Sequence, residues 1–210
     1  MTILDHHGSE FSQACDNGFI DTGEHPLEHS LILGGARSGK SQFAEQVALK
    51  SGLSLVYVAT AEALDDEMAH RISEHRRRRD ENWHLIEEPQ DIAAVIKHES
   101  AAQKLLLIDC LTLWLSNLLL RHGHGHGHGH EKEKIILQIN QLCRTICDAN
   151  GPVLFVSNEV GFCLTPENAL GRQFRDLQGG LNQQIGAVCD NVVLVVAGMP
   201  LTLKGRNVSA

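Results

Sequence analysis

The stretch Gly34-Gly35-Ala36-Arg37-Ser38-Gly39-Lys40-Ser41 is where residue type and spacing first define a chemistry. Its pattern, G-x-x-x-x-G-K-S, is that of a phosphate-binding loop. Glycines let successive backbone N–H groups turn inward on one anion. Lys40 has the length and charge to reach the β- and γ-phosphates of a nucleotide, and the Ser41 hydroxyl is an oxygen ligand for Mg²⁺. A second acid belongs with the loop. Lys104-Leu-Leu-Leu-Ile-Asp109 is an apolar run ending in a carboxylate, which sets Asp109 beside the metal directly or through water. Many strands end in Asp; the pairing with the phosphate loop gives this one its meaning. Four arginines, Arg76 to Arg79, follow His75. Their plain reading is a solvated helix end that offsets the dipole. Such local charge also suits a polyphosphate.

These groups need a scaffold, and the chain alternates in the way that supplies one. Leu31-Ile32-Leu33 is a short apolar strand, and Phe43, Ala44, Val47 and Ala48 mark one face of the helix that begins at Ser41. Leu53–Ala59 reads as a second strand, with Thr60, Ala61 and Glu62 at its C-terminal end, where open α/β sheets place ligand loops. Asp65 and Asp66 open a helix that carries Met68, Ile72 and His75 on one face. Trp83–Glu88 is extended, Asp91 to about Lys97 is a short helix, and Leu111–Arg121 is a helix after the Asp109 strand. Ile135, Ile136, Ile139, Leu142, Cys143 and Ile146 mark a long amphipathic helix.

Pro152–Ser157 is a further strand, followed by Asn158-Glu159-Val160-Gly161 and a loop to Gly171 suited to substrate contacts. Arg172–Cys189 reads as helix despite the Gly179-Gly180 pair, which signals close packing if the helix is continuous. Asn191–Ala197 is a last parallel strand, and Leu201–Lys204 returns as a short antiparallel edge. The expected fold is α/β, a mostly parallel sheet with helices on both faces, of the P-loop NTPase (RecA-like) type. Residues 29–210 are expected to form one catalytic domain, after a poorly ordered extension over 1–28.

The bulk numbers exclude some roles. The chain has 210 residues, enough for one α/β domain with a real core. A net charge of -8 argues against nonspecific nucleic-acid binding. Cys15, Cys110, Cys143, Cys147, Cys163 and Cys189 form no CxxC pair, a usage that fits a reduced cytosolic protein, with Cys143 and Cys147 read as core packing. Leu105–Leu120 is interrupted by Asp109, Thr112, Ser116 and Asn117, so it is too short and too polar to span a membrane. Residues 122–130 alternate His and Gly, a surface loop in the plain reading and a metal-loading loop in the sharper one. His6 and His7 pair in the extension without the further ligands a specific metal site needs.

The sequence resembles the bifunctional adenosylcobinamide kinase/adenosylcobinamide-phosphate guanylyltransferase family of cobalamin biosynthesis. The resemblance rests on residues 34–41, Tyr57-Val-Ala-Thr-Ala61, Asp65-Asp-Glu-Met-Ala-His-Arg-Ile72 and His75 with its arginines. It continues through residues 109–119, Ser157-Asn-Glu-Val-Gly161, residues 171–183 and residues 198–204, covering about 30–205. Where the family often has a proline after the arginine matched by Arg79, this chain has Asp80. The resemblance implies phosphorylation of adenosylcobinamide by ATP or GTP with Mg²⁺, then transfer of GMP from GTP to the new phosphate. It further implies that His75 carries GMP covalently, that Thr60, Arg79 and Glu87 contact the nucleotide, and that the enzyme is a cytoplasmic trimer. On the residues alone, His70 and His84 rival His75, and a neutral imidazole within reach of the α-phosphate is the requirement. Two other classes stay open from sequence: a small-metabolite kinase without guanylyl transfer, and a nucleotide-binding metallochaperone centred on the Gly-His loop.

Overall fold

A computed structural model of the chain describes residues 28–62, 82–122, 128–206 and 208. In chain order the elements are β1 (Ser30–Gly34), α1 (Lys40–Lys50), β2 (Ser54–Ala59), β3 (Trp83–Glu87), α2 (Ile92–Glu99) and β4 (Lys104–Asp109). They continue with α3 (Leu111–His122), α4 (His128–Cys147), β5 (Val153–Asn158), α5 (Ala169–Val188), β6 (Asn191–Val196) and β7 (Met199–Lys204). The strands join in one sheet, β3-β2-β4-β5-β1-β6-β7, parallel throughout except for the β6–β7 pair. The mostly parallel sheet with an antiparallel C-terminal edge is as expected, and element ends differ by a few residues.

The period-2 alternation of the strands sorts the core into two layers. Leu31, Val56, Val58, Leu106, Ile108, Val153 and Phe155 face α2, α3, α4 and α5. Ile32, Leu55, Tyr57, Leu105, Leu107, Leu154 and Val156 face α1, which returns Phe43, Ala44, Val47 and Ala48. Helices therefore cover both faces. Central strands buried on both sides read as continuous apolar runs, as parallel sheets require.

Three details correct the reading of the sequence. The Gly-His stretch is not a loop throughout: α4 begins at His128, so residues 128–130 are helical, and 123–127 lie outside the described residues. The first turn of a helix tolerates Gly129 because its N–H groups lack intrahelical partners in any case. Cys143 is buried as expected, and Cys110, Cys163 and Cys189 are also free thiols, but Cys147 is disulfide-bonded, against the reading of a wholly reduced set.

Gly179 and Gly180 sit inside a continuous α5, yet a Cβ at either would meet nothing within 4 Å. Close packing is thus not their reason. Gly179→Ala is expected to stabilise the monomeric fold by about 1 kcal/mol through helix propensity. Denaturant unfolding checks this; a destabilised variant would show that the glycine serves a contact.

Candidate active site

The phosphate loop connects β1 to α1 across the C-terminal edge of the sheet. Its geometry explains its glycines. A Cβ on Gly34 would collide with the Ser38 hydroxyl and come within 2.7 Å of the Val195 carbonyl. Gly39, just before α1, has φ 94°, and a Cβ there would stand 3.2 Å from Gly198 Cα. Ala36 and Arg37 are exposed along the loop, and Arg37 has φ 56°, a left-handed conformation uncommon for a side chain of its size. Lys40 Nζ donates to the Gly35 carbonyl at 3.2 Å, which curls the lysine over the loop. The β6–β7 turn braces the same loop, with Gly198 N–H donating to the Ser38 carbonyl at 2.8 Å. Ser38 Oγ is buried without a hydrogen-bond partner, the state of a polar atom whose partner arrives with a ligand.

Asp109 ends β4 at the same edge. β5 lies between β4 and β1, so Asp109 stands two strands from the loop, about 10 Å at ordinary strand spacing. Its carboxylate is oriented: Tyr57 Oη donates to Asp109 Oδ2 at 2.7 Å. Tyr57 is 2% exposed and is pinned edge-on against Trp83. The register pairs Tyr57 with Leu107, so the hydroxyl reaches diagonally one step along β4. If Asp109 is a Mg²⁺ ligand, Tyr57→Phe is expected to lower turnover about tenfold and to raise the Mg²⁺ requirement, because the carboxylate loses the hydroxyl that orients it. A Mg²⁺ titration of the variant checks this, and an unchanged curve would remove Tyr57 from the site.

Thr60, just past the end of β2, holds a turn in place. It is fully buried, its hydroxyl donates to the Cys110 carbonyl at 2.7 Å, and it accepts the Cys110 N–H at 2.8 Å. Both bonds clamp the turn behind Asp109. Asn117 completes the clamp from α3: its amide donates to the carbonyls of Thr60 (2.8 Å) and Pro89 (3.1 Å), joining the loops after β2 and β3. Trp114 Nε1 donates to the Gln90 carbonyl at 2.6 Å, and Arg121 pairs with Glu62 at 2.7 Å. In the sequence Asn117 shows only as one of several polar residues, with Thr112 and Ser116, in a mostly apolar helix. Burial, aided by the Asp109 charge and opposed by Lys40, pushes the Cys110 thiol up to about 12. Cys110 therefore stays a thiol at neutral pH and is no nucleophile.

Glu87 ends β3, level with Ala59 and, through it, with Asp109. It is exposed, and four strand steps separate β3 from β1, about 19 Å. Ala61 is half-buried just beyond Thr60. His84 is exposed in β3, three residues before the edge, about 10 Å from the level of Glu87. His70, His75 and Arg79 lie outside the described residues. At the end of β5, Thr112 Oγ1 accepts the Asn158 N–H at 2.8 Å, and Asn182 Nδ2 donates to the Asn158 carbonyl at 3.0 Å. Ser157, Gln178 and Asn182 form a buried network behind it.

Residues 30–203 match the family model described as cobinamide kinase/cobinamide phosphate guanyltransferase. The chain belongs to that family. A bifunctional adenosylcobalamin biosynthesis protein, CobP, of Pseudomonas aeruginosa is 46% identical over 176 residues, covering 84% of this chain and 97% of the relative. The corresponding CobU protein of Escherichia coli is 37% identical over 179 residues, covering 83% and 98%. In fold, the chain is similar to a type III secretion system ATPase at TM-score 0.52. That likeness has 11% identity and covers 80% of this chain and 50% of the other.

Proposed function

We propose that the protein phosphorylates the hydroxyl of adenosylcobinamide with ATP or GTP. It then transfers GMP from GTP to the new phosphate, giving adenosylcobinamide-GDP and pyrophosphate. The observation that carries this is the phosphate loop, Gly34–Ser41, set at one sheet edge with an oriented Asp109, in a chain that matches the family over residues 30–203.

The loop's N–H groups, the start of α1 and Lys40 hold the triphosphate and neutralise charge as it builds on the leaving group. The Ser41 hydroxyl and Asp109 carboxylate are hard oxygen donors, and they would hold Mg²⁺. When bound, Mg²⁺ supplies charge neutralisation to the phosphates. His75 is the nucleophile of the second reaction: its imidazole attacks the α-phosphorus, pyrophosphate leaves, and the acceptor phosphate then takes GMP from the ring nitrogen. Arg79 supports the nucleotide's charge. Glu87, exposed at the β3 end, accepts the two N–H donors of a guanine edge. Thr60 acts from behind, through the Cys110 turn. The protein works as a cytoplasmic trimer on a small corrinoid. No described helix is long and apolar enough to cross a membrane.

Incubation with adenosylcobinamide, GTP and Mg²⁺ should yield adenosylcobinamide-GDP, and α-labelled GTP alone should label the protein. Absence of both overturns the reading. Asp109→Asn should cut Mg²⁺-dependent turnover at least about a hundredfold with a smaller loss of nucleotide affinity, since Asn still accepts the Tyr57 hydroxyl. Turnover and nucleotide binding, each titrated against Mg²⁺, separate the two effects.

A further inference from the structure

The loop between β5 and α5, residues 159–168, leaves the sheet between the phosphate-loop strand and the Asp109 strand. Its first residue is tied to the loop itself: Glu159 N–H donates to the Gly34 carbonyl at 3.1 Å. The Glu159 carboxylate is half-buried and accepts the Gly161 N–H through Oε1 at 2.7 Å. Among the described residues it has no ion-pair partner. A carboxylate beside bound phosphates is repelled by them, unless a proton donor stands between.

Farther along, Phe162 and Leu164 are 86% and 94% exposed. Their backbone is braced all the same. Cys163 N–H donates to the Val160 carbonyl, Arg172 Nη1 donates to the Pro166 and Glu167 carbonyls, and Arg175 Nη1 donates to Thr165 Oγ1. The Asn168 side chain caps α5 through the Gly171 N–H. Large apolar side chains held outward on a braced loop mark a surface built to be covered.

We propose that this loop is the acceptor subsite: a face of the corrinoid macrocycle rests on Phe162 and Leu164, and Glu159 is the base for the acceptor hydroxyl. The proposal rests on the two-reaction reading above. Continuity favours the acceptor as occupant, because its hydroxyl must meet the γ-phosphate and the first residue of this loop is bonded to Gly34 of the phosphate loop. In the first reaction the hydroxyl oxygen bonds to the γ-phosphorus. The bond from that phosphorus to the bridging oxygen breaks, the nucleoside diphosphate leaves with the electron pair, and the hydroxyl proton passes to Glu159. In the second reaction the acceptor is a phosphate, already anionic at neutral pH, and no base is needed.

The test uses the full chain with two acceptors, adenosylcobinamide and preformed adenosylcobinamide phosphate. Glu159→Gln keeps an oxygen for the Gly161 N–H. It should lower phosphorylation by about 10²–10⁴-fold and guanylyl transfer by no more than roughly threefold, a small loss without base chemistry. Glu159→Asp should recover part of the phosphorylation, and it carries the comparison if the Gln variant fails to fold. The double variant Phe162→Ser/Leu164→Ser should raise KM for both corrinoids about tenfold or more and leave KM for GTP unchanged. Equal losses of both reactions in Glu159→Gln, or none, overturn the base. An altered oligomeric state with unchanged corrinoid KM in the double variant gives the patch to contacts between copies instead. Wild-type protein inactive on both acceptors sinks the two-reaction reading and the subsite with it; an active wild type with indifferent variants sinks the subsite alone.

Discussion

Lys40→Ala is expected to abolish phosphorylation and guanylyl transfer together. Both reactions expel a phosphate leaving group, and Lys40 is the cation of the phosphate loop, curled over it by its bond to the Gly35 carbonyl. Charge that grows on the leaving oxygens during reaction is stabilised more by this ammonium than the ground state is. The loss should reach at least about 10³-fold for each reaction, about 4 kcal/mol of transition-state stabilisation. The fold should survive, because Lys40 is the first residue of α1 and alanine is a better helix former. Parallel measurement of kcat/KM on both acceptors, with a thermal melt as control, decides it. Near-normal turnover would move the chemistry away from this edge of the sheet.

The second large effect divides the two reactions. His75→Ala should lose guanylyl transfer entirely while some phosphorylation survives. On the proposed two-step route, GMP is carried by a group that can take it and give it up again. A neutral imidazole does so because the phosphoramidate becomes reactive once the ring is protonated. Phosphorylation of a hydroxyl needs only the γ-phosphate and acceptor held in line with the metal. The variant should bind GTP, form no acid-labile, base-stable adduct, and make no adenosylcobinamide-GDP. Peptide mapping of labelled wild-type protein gives the deciding observation. Label on the peptide holding His75 supports the assignment; label on His70, His84 or a lysine overturns it. His84 already stands three residues short of the edge that carries the loop and Asp109.

The phosphate loop and the Asp109 strand were legible because their signals are local: glycine spacing, a lysine, an apolar run ending in an acid. The parallel order of the strands followed from alternation with helices. Pairings across the sheet were not legible. Nothing near Tyr57 in sequence says that its hydroxyl reaches an acid 52 positions away, because register is set only when the strands assemble. Thr60 is a second case. The resemblance implies a nucleotide contact there, and the bonds of its hydroxyl to the neighbouring turn are visible only in the tertiary structure. The Gly-His stretch misled by composition alone, since a helix built on Ile135, Ile139 and Leu142 extends back into it.

The bond from Gly198 to the Ser38 carbonyl makes the terminal hairpin a splint for the loop. A turn far from residues 34–41 along the chain thus keeps them in shape. Loss of β7 would register as lost nucleotide affinity, though nothing that β7 contributes need touch a nucleotide. A truncation series would then draw the boundary of the binding site too wide.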